Sequence, residues 1–295
     1  MPVRDRAPIV AIAAVLLIGL AVVGAFVWAF LAGDEEPRAE RSPAVAANTA
    51  TTYRLRATDD ADPSEAVPEG VHFDLSTTLT IDVSDVGAGM TAEVRLGDVD
   101  ARFDGQAGPV AIAEPQLLRL DEQARPDNVV MVAADSTGTF FYFLDLLFPV
   151  TSPEPASEGD PWPIAFEAGF PTATGSARYE GTGEHVGSEE VAGIQTAEVR
   201  NDLSFEYDFT MLAPEVAQLS GLGSVSSGTV RVTGTGAMTV TGWIDPSTER
   251  VLRTEVEGHY DVVFRYRDFD RAEVELADND FPSKGTFTAS LELVP

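Results

Sequence analysis

The stretch VHFDLSTTLTIDV, residues 71–83, indicates the fold of this chain more clearly than any other segment. Its odd-numbered positions are apolar except for Thr77, and all of its even-numbered positions are polar. Successive side chains of a β-strand point to opposite faces of the sheet. This spacing therefore predicts a strand with one buried face and one solvated face.

The same alternation returns in the second half of the chain. Half-buried strands of this kind are typical of antiparallel sheets, and a parallel fold would need amphipathic helices between them. We therefore predict an all-β, antiparallel fold, a curved sheet or an open or half barrel in one or two β-rich halves, preceded by one N-terminal transmembrane helix. The further segments with this pattern are Leu203–Met211, Val230–Ile244, Val256–Phe264 and Phe287–Leu293.

Turns and short helices are predicted between these strands. Clusters of Asp, Ser, Pro and Gly favour turns. Short apolar or Pro-initiated segments at Leu144–Phe148 and Ala213–Leu222 favour helices that are too short to form a layer of their own. The predicted turns are Val86–Gly89, Asp135–Gly138, Asp245–Glu249 and Asp278–Lys284.

An N-terminal segment is long and apolar enough to cross a membrane. No charged residue occurs from Ala7 to Ala32, and Ile9–Leu31 would span roughly 35 Å as a helix against a hydrocarbon core of about 30 Å. Basic residues precede this segment and acidic residues follow it, which places the N-terminus in the cytoplasm. A cleaved signal peptide is the alternative, but its apolar region would be about 7 to 15 residues long. We predict an uncleaved anchor.

This anchor defines the predicted organisation of the chain. Residues 1–32 form a cytoplasmic tip and a transmembrane signal anchor, so the protein is expected in the cell membrane as a single-pass protein. Residues 33–50 are rich in Pro, Ala and charged residues, and this composition indicates a flexible stalk. Residues 51–295 form an extracytoplasmic β-rich domain. The proline-rich passage 149–163 is either a boundary between two halves or a long loop.

Composition restricts the classes of partner. The chain carries 48 acidic and 19 basic residues, a formal net charge of −29 at pH 7, and no cysteine. Such a surface repels phosphate groups, so nucleic acid is not expected as a partner. The acidity is interpreted as a well-solvated surface, with cation binding or adaptation to high salt as the alternatives. Without cysteine there are no disulfides, thiolate metal sites, cysteine nucleophiles or lipidated cysteine anchors.

The sequence offers no motif for catalysis. It has no Gly-x-Ser-x-Gly nucleophile elbow and no glycine-rich nucleotide loop between a strand and a helix. Its histidines, His72, His185 and His259, are not at metal-ligand spacing. The acidic clusters at residues 59–62 and 98–104 lack the pattern of a calcium loop. We therefore expect no catalytic residue, no metal site and no cofactor, and predict that the protein is not an enzyme.

One apolar run stands out as a candidate binding segment. Residues 140–148 read FFYFLDLLF, and only Asp145 interrupts the apolar side chains. Such a run lines a hydrophobic pocket or forms a strand that is buried on both faces. The candidate ligand-binding residues are Phe140, Phe141, Phe143, Leu144, Leu147 and Phe148.

A family resemblance begins at the end of this run. Leu147-Phe148-Pro149 is followed by a proline-rich gap and then by Gly159-Asp160-Pro161-Trp162. Strand-like segments follow at Tyr179–Gly183 and Val186–Ile194. This order resembles a group of uncharacterised bacterial cell-envelope all-β proteins, in which a proline-rich stretch leads to a Gly-Asp-x-Trp turn and then to successive strands. The resemblance covers about half of the chain.

An anchored all-β envelope domain is also similar to the half-barrel carriers of lipoprotein localisation and of mycobacterial lipid transfer. Those proteins hold acyl chains in an apolar concavity, so the resemblance implies a lipid or another hydrophobic small molecule as a partner. The predicted function is a membrane-anchored extracytoplasmic binding protein. The alternative is a non-catalytic structural or protein-interaction module of the envelope with no ligand cavity.

Overall fold

The computed structural model describes residues 50–63, 69–85, 90–107, 116–120, 126–128, 148–152, 157–169, 173–212, 227–268 and 280–294. None of these residues belongs to a helix with the length and hydropathy needed to cross a bilayer. The predicted anchor, residues 1–32, lies outside this part of the chain. The same is true of the predicted stalk except for Ala50, at which the first strand begins.

The described residues form an all-β structure of 12 strands. Strands β8 and β9 are each 19 residues long, far longer than the usual strand of about 5 to 6 residues. The strands are β1 Ala50–Ala61, β2 Val71–Asp85, β3 Met90–Phe103, β4 Gln106–Ala107, β5 Gln116–Leu120, β6 Pro126–Asn128, β7 Trp162–Gly169, β8 Ala173–Val191, β9 Ile194–Leu212, β10 Thr229–Ile244, β11 Val251–Arg267 and β12 Asp280–Leu293.

All 12 strands belong to one antiparallel sheet. Their order is β6-β5-β3-β2-β1-β12-β11-β10-β9-β8-β7, and β4 pairs with β3 outside this path. Most neighbours in the sheet are also neighbours along the chain, as expected for a meander. No described residue pairs β6 with β7, so the sheet is not closed into a barrel. The predicted antiparallel all-β fold is confirmed.

The first and last of the described strands pair with each other in the middle of the sheet. β1 pairs with β2 on one side and with β12 on the other, with Tyr53 opposite Leu293 and Ala61 opposite Gly285. Strands that precede and follow the proline-rich passage 149–163 therefore belong to the same sheet.

Burial alternates along the strands and defines two faces. In β9 the inward residues from Val199 to Phe209 are buried, and the residues between them are exposed. We call the side that carries the buried residues the inner face and the opposite side the outer face. The largest side chains of the inner face that are almost inaccessible are Tyr53, Leu55, Leu79, Tyr179, Phe209, Tyr260, Phe264 and Leu291.

The outer face is polar and carries cross-strand ion pairs. Arg231 on β10 pairs with Asp208 on β9 at 2.9 Å, and Arg54 on β1 lies 3.5 Å from Glu292 on β12. These side chains are about half exposed, so each pair stabilises the fold by at most about 1 kcal/mol. They keep an acidic surface well solvated and specify which strands are neighbours.

The structure confirms the strand that was predicted at residues 71–83. This segment lies within β2, and Phe73, Leu75, Leu79 and Ile81 are buried as the alternation requires. Thr77, the exception to the apolar pattern, is also buried, and its hydroxyl donates a hydrogen bond to the carbonyl oxygen of Gly97 at 2.7 Å. A polar side chain on the buried face is therefore accommodated by the neighbouring strand.

Of the predicted turns, Asp245–Glu249 is confirmed and Asp278–Lys284 is partly wrong. The Asp245 carboxylate accepts hydrogen bonds from the backbone and hydroxyl of Ser247 and from the hydroxyl of Thr248 between β10 and β11. In contrast, β12 already begins at Asp280, because pairing with β11 outweighs the turn propensity of Pro282 and Ser283. The other two predicted turns, the helix at Ala213–Leu222 and all of Leu144–Phe148 except Phe148 lie outside the described residues.

Candidate functional site

The inner face is the candidate functional site because it is large, apolar and formed by a single sheet. All of the described strands belong to that sheet, so none of them forms a second sheet stacked on the inner face. Aromatic rings run along one strand of it. Phe205 stacks on Tyr207 with ring centroids 4.7 Å apart, and Tyr207 meets Phe209 edge to face at 5.8 Å. Such rings bury large apolar areas and suit contact with hydrocarbon.

A short segment of chain lies against this face. The backbone nitrogen of Val150 donates to Asn201 Oδ1 at 2.7 Å, and Asn201 Nδ2 donates to the carbonyl oxygen of Val150 at 3.0 Å. Phe148 meets Tyr53 edge to face, with ring centroids 6.2 Å apart. Because Asn201 is 1% exposed, these hydrogen bonds fix the segment 148–150 to β9 out of contact with water.

Phe148 is the only one of the predicted ligand-binding residues that the structure describes. It lies at the inner face and is 8% exposed. The remaining candidates, Phe140, Phe141, Phe143, Leu144 and Leu147, lie outside the described residues. The predicted role of this run in binding a ligand therefore stays a prediction.

A carboxyl group is buried on the same apolar face. Asp59 on β1 is 4% exposed, and its Oδ1 accepts a hydrogen bond from the Tyr260 hydroxyl at 2.9 Å. Its second oxygen, Oδ2, is also buried but has no hydrogen-bond partner among the described residues. The residues directly opposite Asp59 on the neighbouring strands are Phe73 and Phe287. A buried polar atom without a partner is rare and costly in a folded protein.

A glycine makes the contact between Asp59 and Tyr260 possible. Tyr260 is on β11 and Asp59 is on β1, so the tyrosine ring has to pass over β12, which lies between these strands. At the crossing β12 carries Gly285, where a Cβ atom would lie 2.5 Å from the Tyr260 hydroxyl oxygen. Only the absence of a side chain at residue 285 leaves room for the ring.

Burial controls the ionisation of this pair. Removal from water raises the pKa of Asp59 to about 7, and the nearby Asp60 adds to this effect. The hydrogen bond from Tyr260 and the proximity of His72 act in the opposite direction. Burial also raises the pKa of Tyr260 well above its ordinary value, with a further contribution from Asp59. The tyrosine therefore stays protonated and remains a donor at physiological pH.

Sequence reasoning considered Asp59 only as part of an acidic cluster. The structure separates that cluster, because Asp59 points to the inner face whereas Asp60 lies on the outer face and hydrogen-bonds His72 Nδ1 at 2.6 Å. Asp59 has the same odd-numbered phase as Tyr53, Leu55 and Ala57. That phase was the signal that could have identified Asp59 as an inward-facing carboxyl group.

His72 itself is held between two aspartates on the outer face. Its Nε2 lies 2.8 Å from Asp74 Oδ2, opposite the contact with Asp60. The hydrogen bond with Asp60 is the main cause that raises the pKa of His72 above its ordinary value. The described residues contain no group of three or more His, Asp or Glu side chains arranged to hold a metal ion.

The outer face also has a shallow groove of about 700 Å³ that crosses β8 to β12. Its walls are outward side chains that include Glu180, Asp202, Glu257 and His259. Asp202 is already satisfied by neighbours within the sheet, since Thr239 donates to it at 2.7 Å and Arg200 at 3.1 Å. The clearest hydrogen-bonding group of the groove, the Asp202 carboxylate, is therefore used within the sheet.

The sequence matches no protein-family model and no curated protein.

The role of Gly285 leads to a prediction about stability. Replacement by valine would force the Tyr260 ring away from β12 and would also clash with the carbonyl oxygen of Asp60. We expect Gly285→Val to lower the free energy of unfolding by about 1–3 kcal/mol, the usual cost of overpacking. Urea denaturation measures this change. The control is Thr286→Val on the exposed outer face, and an equal effect of both substitutions would contradict the proposed crossing.

Proposed function

We propose that the chain is a membrane-anchored extracytoplasmic binding protein whose inner face holds a lipid or another hydrophobic ligand of the cell envelope. The observation that supports this proposal most is the arrangement of the described strands in one continuous sheet with one apolar face. The described side chains of that face are largely buried within the chain, so the ligand in this proposal lies among them and takes the place of part of their packing.

The alternative is a structural or protein-interaction module whose core is filled by its own side chains. The simplest module of that kind has two sheets stacked about 10 Å apart with interdigitated side chains. The described strands do not form such a pair of sheets. This difference favours the binding protein.

Burial of Asp59 is a second argument for a ligand on the inner face. A fully filled apolar core rarely contains a carboxyl oxygen without a donor, because its desolvation costs about 1–3 kcal/mol or more. A ligand with a polar group could remove this cost. We propose binding and not catalysis, and the partners in this proposal are the membrane, through residues 1–32, and the hydrophobic ligand.

Native mass spectrometry of the purified protein tests this proposal. We expect the protein to carry a co-purified hydrophobic molecule, or to take up one when it is incubated with an envelope lipid extract. The matched control is the same protein after exhaustive extraction, which should have the mass of the bare chain. A bare mass before and after incubation, together with no uptake of a hydrophobic dye, would contradict the proposal.

A further inference from the structure

Asp59 is an acidic side chain on the inner face, where the other buried residues of the described strands are apolar or hydroxyl-bearing, or carry an amide at Asn201. It faces Phe73 on β2, Phe287 on β12 and Tyr260 on β11, and Ser283 on β12 is also in reach of the Tyr260 hydroxyl. The charged groups nearest to it, Asp60 and His72, lie on the outer face and pair with each other. Within the described residues no lysine or arginine contacts Asp59.

One oxygen of the Asp59 carboxyl group has a hydrogen-bond partner and the other has none. Tyr260 donates to Oδ1, and the ring position over Gly285 fixes the orientation of the carboxyl group. Oδ2 is buried and receives no hydrogen bond from the described residues. Protonation of Asp59 would not solve this, because the new O–H group would then lack an acceptor. The ionised carboxylate therefore lacks a hydrogen-bond donor at Oδ2, and a ligand on the apolar face would supply one.

We propose that Asp59, oriented by Tyr260, is the anchoring site for a primary ammonium group on an otherwise apolar ligand. This inference rests on the proposed function, since the alkyl part of the ligand would lie along the inner face. The ammonium N–H donates to Oδ2. Its positive charge balances the negative charge of the carboxylate, which no described side chain balances. Tyr260 acts as a positioning residue that keeps Oδ1 occupied and Oδ2 available.

An ammonium group fits this site better than the other common lipid head groups. A carboxylate or phosphate would place a second negative charge beside Asp59 with no described cation to offset it. A hydroxyl group could donate to Oδ2 but would leave the charge of an ionised Asp59 uncompensated. Burial already raises the pKa of Asp59 to about 7, so a cationic ligand would also convert the group to its ionised form at neutral pH.

Photo-crosslinking of the full-length chain in phosphatidylcholine nanodiscs tests this inference. The probes are three dodecyl chains that carry a mid-chain diazirine and end in an ammonium, a hydroxyl or a carboxylate group. Label on peptides from β1, β11 and β12 is quantified by mass spectrometry, which separates binding to the sheet from partition into the lipid. We expect the ammonium probe to label these peptides about tenfold more than either other probe, in line with a charge-assisted hydrogen bond.

Two variants make the test specific. Asp59→Asn keeps the shape of the side chain and the acceptor for Tyr260, but turns an N–H group toward the ligand, so labelling by the ammonium probe should fall about tenfold. Glu257→Gln removes a carboxylate from the exposed outer face of β11 and should leave labelling unchanged.

The outcomes separate this inference from the proposed function. If no probe labels the inward strands, then the proposed hydrophobic site itself is wrong. If all three probes label them equally, or if Asp59→Asn leaves the preference for ammonium intact, the inner face binds apolar chains but Asp59 does not anchor an ammonium group.

Discussion

Replacing Asn201 with leucine is expected to lower the free energy of unfolding by about 2–5 kcal/mol. Asn201 is the only described partner of both the N–H and the C=O of Val150, at 2.7 and 3.0 Å. Leucine can make neither bond, and each buried backbone group that loses its partner costs about 1–3 kcal/mol. Chemical denaturation followed by far-ultraviolet circular dichroism measures the change.

The control for this prediction is Ser204→Ala on the same strand. Ser204 is exposed and donates one hydrogen bond to the carbonyl oxygen of Glu180, so its replacement should alter stability by no more than about 0.5 kcal/mol. If Asn201→Leu were as mild as Ser204→Ala, the segment 148–150 would not be fixed to the inner face. The predicted binding role of Phe148 would then lose the contact that places it at the inner face.

The second large effect is a dependence of stability on pH that originates at Asp59. Burial raises the pKa of this carboxyl group from 3.8 to about 7. Between these two values the folded chain binds more protons than the unfolded chain, so the contribution of Asp59 to stability is greatest below pH 3.8 and is lost as the pH rises to 7. The total loss is about 4 kcal/mol.

Asp59→Asn isolates this contribution from those of the many other carboxylates. An amide does not titrate, so the stability of the variant relative to the wild type should increase by about 4 kcal/mol between pH 4 and pH 8. Urea denaturation at four or more pH values in that interval gives the difference. Glu257→Gln, which removes a carboxylate from the exposed outer face of β11, should change it by less than about 1 kcal/mol. If the difference in unfolding free energy between Asp59→Asn and the wild type did not vary with pH, Asp59 would be solvated.

Much of the fold could be predicted from the sequence because strand formation leaves a local signal. The alternation at residues 71–83 and in the later segments depends only on which side chains face the core, and the structure has strands at all of these positions. The start of β12 was harder to predict from the sequence. Its first residues, Asp280 to Lys284, have the composition of a turn, and only pairing with β11 makes them a strand.

The order of the strands could not be predicted in the same way. Nothing in the local sequence of β1 indicates that it pairs with the last strand of the chain, because such pairing depends on contacts between residues far apart in sequence. The sequence left open whether the proline-rich passage 149–163 is a boundary between two β-rich halves or a long loop. In the structure, strands from both sides of it belong to one sheet, joined through β1 and β12.

The buried pair of Asp59 and Tyr260 could not be predicted from the sequence for the same reason. Asp59 and Tyr260 are 201 residues apart, and their contact depends on a glycine in a third strand. Each of the three residues is unremarkable in its own segment. Sequence reasoning instead selected the aromatic run at residues 140–148, of which Phe148 is the one member that the structure describes, at the inner face.

A crystal structure of the protein purified with its natural ligand would test the central claim most directly. The account predicts continuous ligand density against the inward side chains of β1, β11 and β12, with a nitrogen atom within hydrogen-bonding distance of Asp59 Oδ2. A donor from the protein itself on Asp59 Oδ2, with no density from another molecule against the inner face, would contradict it.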